Sequence, residues 1–154
     1  MVKNIGKFNM ELKKINKRLK TVKVEDLKLY PGNPRRNNES AKMVAKSIAA
    51  FGYINPIVVN PDNYILAGNT RCKALRILGV EEIDVLEVSG LTEQEERNFV
   101  IVDNRVGEFS QWNYAGIDRM VEAAAEQGDV EVLKGMGMSS FKDNKAELEA
   151  LIHG

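Results

Sequence analysis

The sequence predicts an α+β fold: a small mixed sheet flanked by helices. Three observations carry this. Short apolar runs at 57–59, 64–67 and 83–88 are strand-sized, whereas the longer segments around them repeat their apolar residues at intervals of three and four. The turn Asn60-Pro61-Asp62-Asn63 separates the first two runs, which makes them a hairpin. A few short strands among several helices give a sheet with helices packed on it.

The elements follow in order. Residues 3–20 are rich in Lys, with Ile5, Phe8, Leu12, Ile15 and Leu19 spaced by three and four. That spacing predicts a basic amphipathic helix, with Lys13, Lys14, Lys17 and Arg18 off the apolar stripe. Such a helix docks on its own domain, pairs with a second copy or lies along a nucleic-acid backbone; docking or pairing is the plainer role. Residues 21–24 alternate polar and apolar, a short strand, and Glu25-Asp26-Leu27 turns the chain. Two Pro and a Gly make 30–38 an exposed loop carrying Arg35 and Arg36. Residues 39–51 read as a helix with Ala41, Val44, Ala45, Ile48 and Ala49 inward and Gly52 at its end. After the hairpin comes a turn at Gly68, a helix over 70–78 stopped by Gly79, and the strand 83–88. Thr92 and Glu95 form a capping box opening a helix that runs to about Asn104. Trp112, Ile117, Met120, Val121 and Ala124 mark another helix, Gly135 to Gly137 a break, and 144–152 a short acidic helix.

Bulk properties bound the function. The chain has 154 residues, about one domain, with 44% hydrophobic and 29% charged residues, as in an ordinary globular protein. No apolar run reaches the ~18 residues of a membrane span. Residues 1–20 lack the apolar centre of an export signal, so the cytoplasm is the expected compartment. One cysteine, Cys72, excludes an intramolecular disulfide. Net charge is zero but unevenly placed: residues 1–36 hold eleven Lys or Arg against three acids, and residues 81–154 hold six against seventeen. The basic end fits DNA; mutual attraction of the two ends, or plain solvation, explains the pattern as well.

The chemistry concentrates at Gly68-Asn69-Thr70-Arg71, where an apolar strand breaks into a helix. A helix start exposes unpaired N–H groups and the positive end of the macrodipole, which attract anions. Arg71 adds a permanent charge with a planar fork suited to phosphate oxygens. The motif is neither a Walker loop nor a dinucleotide fingerprint. On spacing alone the competing explanation is a plain turn glycine, with Asn69 or Thr70 as N-cap. Cys72, just inside that helix, reads as a structural thiol. His153, beside the C-terminus, reads as a tail residue.

The motifs also occur in a recognisable order: Asp26-Leu27, Asn33-Pro34-Arg35, Phe51-Gly52, Asn55-Pro56-Ile57-Val58-Val59, Ile65-Leu66-Ala67-Gly68-Asn69-Thr70-Arg71, Leu78-Gly79, Leu91-Thr92-Glu93 and Asp103-Asn104-Arg105. This string resembles the N-terminal domain of the ParB family, in the fold shared with sulfiredoxin, over roughly 21–112. The resemblance divides the chain into a basic helix (1–20), a ParB/sulfiredoxin-like domain (21–112) and an acidic helical extension (113–154). The extension, with Trp112 and the helix at 144–152, is similar to the segment ahead of certain DNA methyltransferases of phages and mobile elements.

The resemblance implies nucleotide chemistry. In partition ParB proteins a Gly-Glu-Arg-Arg turn holds the phosphates of CTP with magnesium; here the slot reads Gly68-Asn69-Thr70-Arg71, keeping the glycine and the last arginine. A following Glu-Asn-x-x-Arg motif is matched at its start by Asp103-Asn104, with Arg105 displaced. Carried over, Gly68, Asn69, Thr70, Arg71, Asn104, Arg35 and Arg105 would contact nucleotide. Asp103 and Asn104 would hold Mg2+, and Asp103 is the one candidate for catalysis. Loss of one arginine implies weaker triphosphate binding or another ligand. Sulfiredoxin activity is not expected, because its reactive Cys sits where this chain has Asn69.

Two functions follow as expectations. The first is a stand-alone CTP- or ATP-binding module in the DNA metabolism of a phage or mobile element, with nucleotide hydrolysis or DNA nuclease activity as its enzymatic forms. The second is a non-enzymatic adaptor that keeps the fold and binds DNA, a methyltransferase or a second copy through the basic N-terminal helix and the acidic tail. A partition protein is less expected, since residues beyond 112 show no helix-turn-helix pattern.

Overall fold

The computed structural model describes the backbone of residues 4–6, 8–9, 11–33, 38–108, 114–128 and 133, and the side chains of 6, 11–33, 40–104, 119–128 and 133. Arg35, the Arg105 side chain, Trp112, the break at Gly135, the helix expected at 144–152 and His153 lie outside the described residues.

Strands β1 (Asn4–Ile5) and β2 (Phe8–Asn9) pair as a small antiparallel hairpin around Gly6. The main sheet has five strands: β3 (Asn16–Lys23), β4 (Lys28–Leu29), β5 (Val58–Val59), β6 (Tyr64–Ala67) and β7 (Glu82–Ser89), in the order β3-β7-β5-β6-β4. It is mixed: β3 and β6 run antiparallel to β7 and β5, whereas β5 is parallel to β7 and β4 to β6. Helices α1 (Asn38–Phe51) and α2 (Asn69–Ile77) pack together on one face. There Cys72 and Leu75 of α2 join Ile57, Val59, Ile65 and Val85 in the larger core cluster. Helix α3 (Glu93–Glu108) covers the other face, where Val100 meets Tyr30, Leu66 and Val88. Helix α4 (Tyr114–Glu126) follows.

The expected α+β sheet flanked by helices is the observed architecture. The hairpin, the Gly68 turn, α2 and β7 fall where the apolar pattern places them, within a residue at each end. The capping box of α3 is formed: Thr92 Oγ1 accepts the Glu95 N–H at 3.2 Å, and Glu95 Oε1 accepts the Thr92 N–H at 3.1 Å. On α1, Ala41 and Ala45 are buried, but Ala49 is exposed.

The N-terminal helix expected over residues 3–20 is corrected. Residues 4–5, 8–9 and 16–23 are β-strands, and the described members of the supposed apolar stripe face solvent: Leu12 is 88%, Ile15 36% and Leu19 67% exposed. Pairing outweighs the local pattern. All eight residues of β3 lie against β7, and the alternation puts Arg18, Lys20 and Val22 on one face. The partner strand carries Glu87, only 8% exposed, and a buried carboxylate needs a cation. Lys20 reaches it at 2.7 Å and Arg18 at 3.1 Å. Thr21 Oγ1 adds a 2.6 Å bond to Asp84. A helix over the same residues would leave the outer edge of β7 unpaired and Glu87 uncompensated.

Candidate functional site

At the end of β6 the chain must turn sharply from strand to helix. Gly68 does this in a left-handed conformation (φ 103) and is itself the N-cap of α2, with no side chain capping the helix. The alternative of Asn69 or Thr70 as N-cap is not what the structure has: both sit within the first turn. The start of α2 is left without a side-chain cap and keeps its positive dipole end toward a cavity of about 240 Å³. That cavity brings together Gly68, Asn69, Thr70 and Arg71 with Asp103 and Asn104 from α3. Residues 33 apart in sequence meet because α2 and α3 lie on opposite faces of β6 and both reach its C-terminal end.

Gly68 is required sterically as well as conformationally. A Cβ there would stand 2.9 Å from Arg71 Nη2, 3.0 Å from Arg71 Nε and 3.2 Å from the Cα of Ile57. The guanidinium thus lies directly over the glycine. Its Nη2 donates to the Pro56 carbonyl at 3.3 Å. Its Nε is buried with no partner, and so is Nδ2 of Asn69. Buried N–H groups are almost always satisfied, and leaving one unmade costs about 1–3 kcal/mol. Both donors belong to the first turn of α2, on residues that line the cavity. Burial pulls the Arg71 guanidinium below its ordinary value, opposed by Tyr53 and Asp103. An added negative charge would relieve that desolvation.

The second strand of the site is Asn33 to Asn104. Asn104 Nδ2 donates to Asn33 Oδ1 at 3.4 Å, tying the loop after β4 to α3. Asp103 is exposed at the cavity and supplies the one carboxylate of its lining. Cys72 is 1% exposed, and burial pushes its thiol up, outweighing Arg76 and Lys73. It is the structural thiol expected. Two features escape sequence reading: the role of Asn33, and the Pro56 carbonyl that holds Arg71. Neither has a periodic or compositional signal.

A larger cavity, about 450 Å³, opens at the opposite end of β6 between Tyr30, Tyr64, Glu93 and Glu96. None of the expected site residues lines it, and its lining carries three acids, Asp62, Glu93 and Glu96, against Arg97. Its charge has the wrong sign for a phosphate. Among the described residues no group of three His, Cys, Asp or Glu side chains is placed to hold a metal, and no helix is long and apolar enough to cross a membrane.

Comparison with known proteins gives the family of this fold. The ParB N-terminal domain model matches residues 9–105. A ParB-like nuclease domain-containing protein of Escherichia coli (strain K12), YnaK, is 29% identical over 75 residues, covering 48% of this chain and 86% of the relative. A probable chromosome-partitioning protein ParB of Campylobacter jejuni is 30% identical over 88 residues, 54% of this chain, but the match spans only 31% of that protein's length. Among solved structures, the C-terminally truncated chromosome-partitioning protein ParB of Caulobacter crescentus, in complex with CTP-gamma-S, shares the fold with a TM-score of 0.61 at 21% identity, covering 73% of this chain and 65% of that one. A Pnob8-like ParB-N domain follows with a TM-score of 0.51 at 20% identity, covering 77% of this chain and 51% of its own. The matched span takes in β3 through α3, the whole main sheet and both walls of the cavity, and the chain belongs to the ParB N-terminal domain family.

Proposed function

We propose that this chain is a nucleotide-binding module of DNA metabolism whose phosphate site is the cradle at the start of α2. Gly68, Asn69, Thr70 and Arg71 hold the phosphates; Asp103 and Asn104 face them from α3. The observation that carries the reading is the pair of buried, unpartnered donors, Asn69 Nδ2 and Arg71 Nε, beside an uncapped helix start. The CTP-gamma-S bound by the Caulobacter crescentus neighbour supports a nucleoside triphosphate as ligand.

The donor set fits magnesium shared with the ligand. Mg2+ takes one or two carboxylates and fills its remaining positions with phosphate oxygens and water. Asp103 offers the carboxylate, and Asn104, whose Nδ2 is turned to Asn33, keeps an acceptor oxygen. These two residues would hold the ion, which when bound neutralises phosphate charge. The proposal stops at binding. The cradle's described lining has one carboxylate, and neither hydrolysis nor DNA cleavage is assigned to it. An adaptor function through the basic N-terminal region is less favoured, because Lys13 is paired with Glu95 and Arg18 and Lys20 with Glu87.

The test is calorimetric titration with CTP, ATP, GTP and UTP in the presence of magnesium, repeated on Arg71→Ala. Saturable binding that the substitution abolishes is the expected result, and the preferred base names the ligand. Absence of binding by all four at millimolar concentration overturns the reading.

A further inference from the structure

Resting on the nucleotide reading of the cradle, we propose that Tyr53 is a positioning residue for it. Its phenol sets the Pro56–Ile57 peptide plane, and that plane holds the Arg71 guanidinium over Gly68.

Tyr53 follows the left-handed Gly52 that ends α1, and its ring packs on the larger core cluster. Its Oη accepts the Ile57 N–H at 2.6 Å, closing the loop between α1 and β5. The other end of the same peptide unit is the Pro56 carbonyl, which accepts Arg71 Nη2 at 3.3 Å. A trans peptide is a rigid plate whose N–H and C=O point in opposite directions. Tyr53 and Arg71 therefore hold one plate from its two sides, and each bond polarises the other. The plate has little room to turn. Ile57 is fully buried, its Cα lies 3.2 Å from where a Cβ on Gly68 would stand, and its carbonyl accepts the Leu86 N–H at 2.9 Å. Burial pushes the Tyr53 phenol up, so it keeps its proton and serves as a neutral acceptor at neutral pH.

An arginine side chain has many rotamers, and fixing one before the ligand arrives lowers the entropic cost of binding. Removing the phenolic oxygen leaves the N–H of Ile57, a fully buried residue, without that partner. The plate then loses one of its two holds, and the carbonyl anchor of Arg71 loosens. The loss of one such bond corresponds to roughly a two- to tenfold weaker phosphate ligand.

The first test needs no ligand. In 15N-labelled protein the buried Arg71 Nε–H gives a dispersed, slowly exchanging resonance, assigned by its disappearance in Arg71→Lys. In Tyr53→Phe that resonance moves toward the position of exposed arginines and exchanges faster, while circular dichroism shows the fold retained. An unmoved resonance overturns the proposal. Should Tyr53→Phe not fold, site-specific 3-fluorotyrosine at 53 keeps ring and hydroxyl but weakens the oxygen as acceptor; a smaller shift in the same direction is expected, and none overturns it. The second test titrates magnesium CTP into Tyr53→Phe, Arg71→Lys, which keeps the charge without the planar fork, and the double variant. Tyr53→Phe weakens binding by the stated factor and adds nothing to Arg71→Lys; an equal loss in both backgrounds refutes action through Arg71. If the unaltered protein binds no triphosphate, the functional reading fails while the resonance still decides the clamp.

Discussion

Substituting Gly68 by Ala, with Gly79→Ala as its control, separates close approach from backbone strain. Both glycines have positive φ, 103 and 70, a region that costs a side-chain-bearing residue about 1–3 kcal/mol. They differ in surroundings. A Cβ at Gly79 meets nothing within 4 Å, whereas one at Gly68 meets both guanidinium nitrogens at 2.9 and 3.0 Å and the Ile57 Cα at 3.2 Å. The guanidinium can swing away; the Ile57 backbone, at the start of a buried strand, yields less. Gly79→Ala should therefore cost about 1 kcal/mol, and Gly68→Ala at least ~1 kcal/mol more. For a chain of this size each kcal/mol lowers Tm by roughly 2–4 °C. Urea denaturation of the three proteins measures the stabilities, and titration with magnesium CTP measures the site. Gly68→Ala should lose ligand because Arg71 is displaced, and Gly79→Ala should keep it. Equal stabilities for the two variants would refute the close-packing argument, and unchanged ligand affinity in Gly68→Ala would refute the position given to Arg71.

Three further outcomes follow from the same structure. Hydrogen bonds from Arg18 and Lys20 hold Glu87 below the usual carboxylate range. Its contribution to stability is thus present above the unfolded value of about 4.3 and is lost as pH falls through the lower folded value. Glu87→Gln should flatten that acid limb in pH-dependent thermal melts, and a limb identical to the unaltered protein's contradicts the pairing. Cys72, buried with its thiol pushed up, should not react with a disulfide reagent until the protein unfolds, and one fast-reacting thiol in the native state would show otherwise. Thr92→Ala removes the cap of α3 and should destabilise by about 1 kcal/mol in urea titration; no change would mean that the capping box contributes nothing in solution.

Elements whose signals are local were legible before any coordinates. The apolar run 64–67, the breaking glycine and the helical spacing after it place β6, Gly68 and α2 because each signal acts within a few residues. The Thr92–Glu95 box is legible for the same reason. β3 was not. Its residues carry spacing that suits a helix, and the force that makes them a strand comes from Glu87 and the open edge of β7, 69 residues away from Arg18. The N-cap was left open because Asn69 and Thr70 are favoured capping residues, whereas the close approach of Arg71 and Ile57 to position 68 is a tertiary fact.

By itself, then, the sequence determined a mixed α+β domain, a glycine turn opening a helix with one arginine in its first turn, and a second polar pair, Asp103-Asn104, on a later helix. It carried these through short-range propensity, turn chemistry and motif order. Only the tertiary structure decided that the turn and the pair share one cavity, that Asn69 and Arg71 keep buried donors without partners, and that Tyr53 and Arg71 grip one peptide plane. The physical reason is that unsatisfied polar groups and close contacts are defined by distant neighbours, and those neighbours meet only when the sheet brings α2 and α3 to the same end of β6.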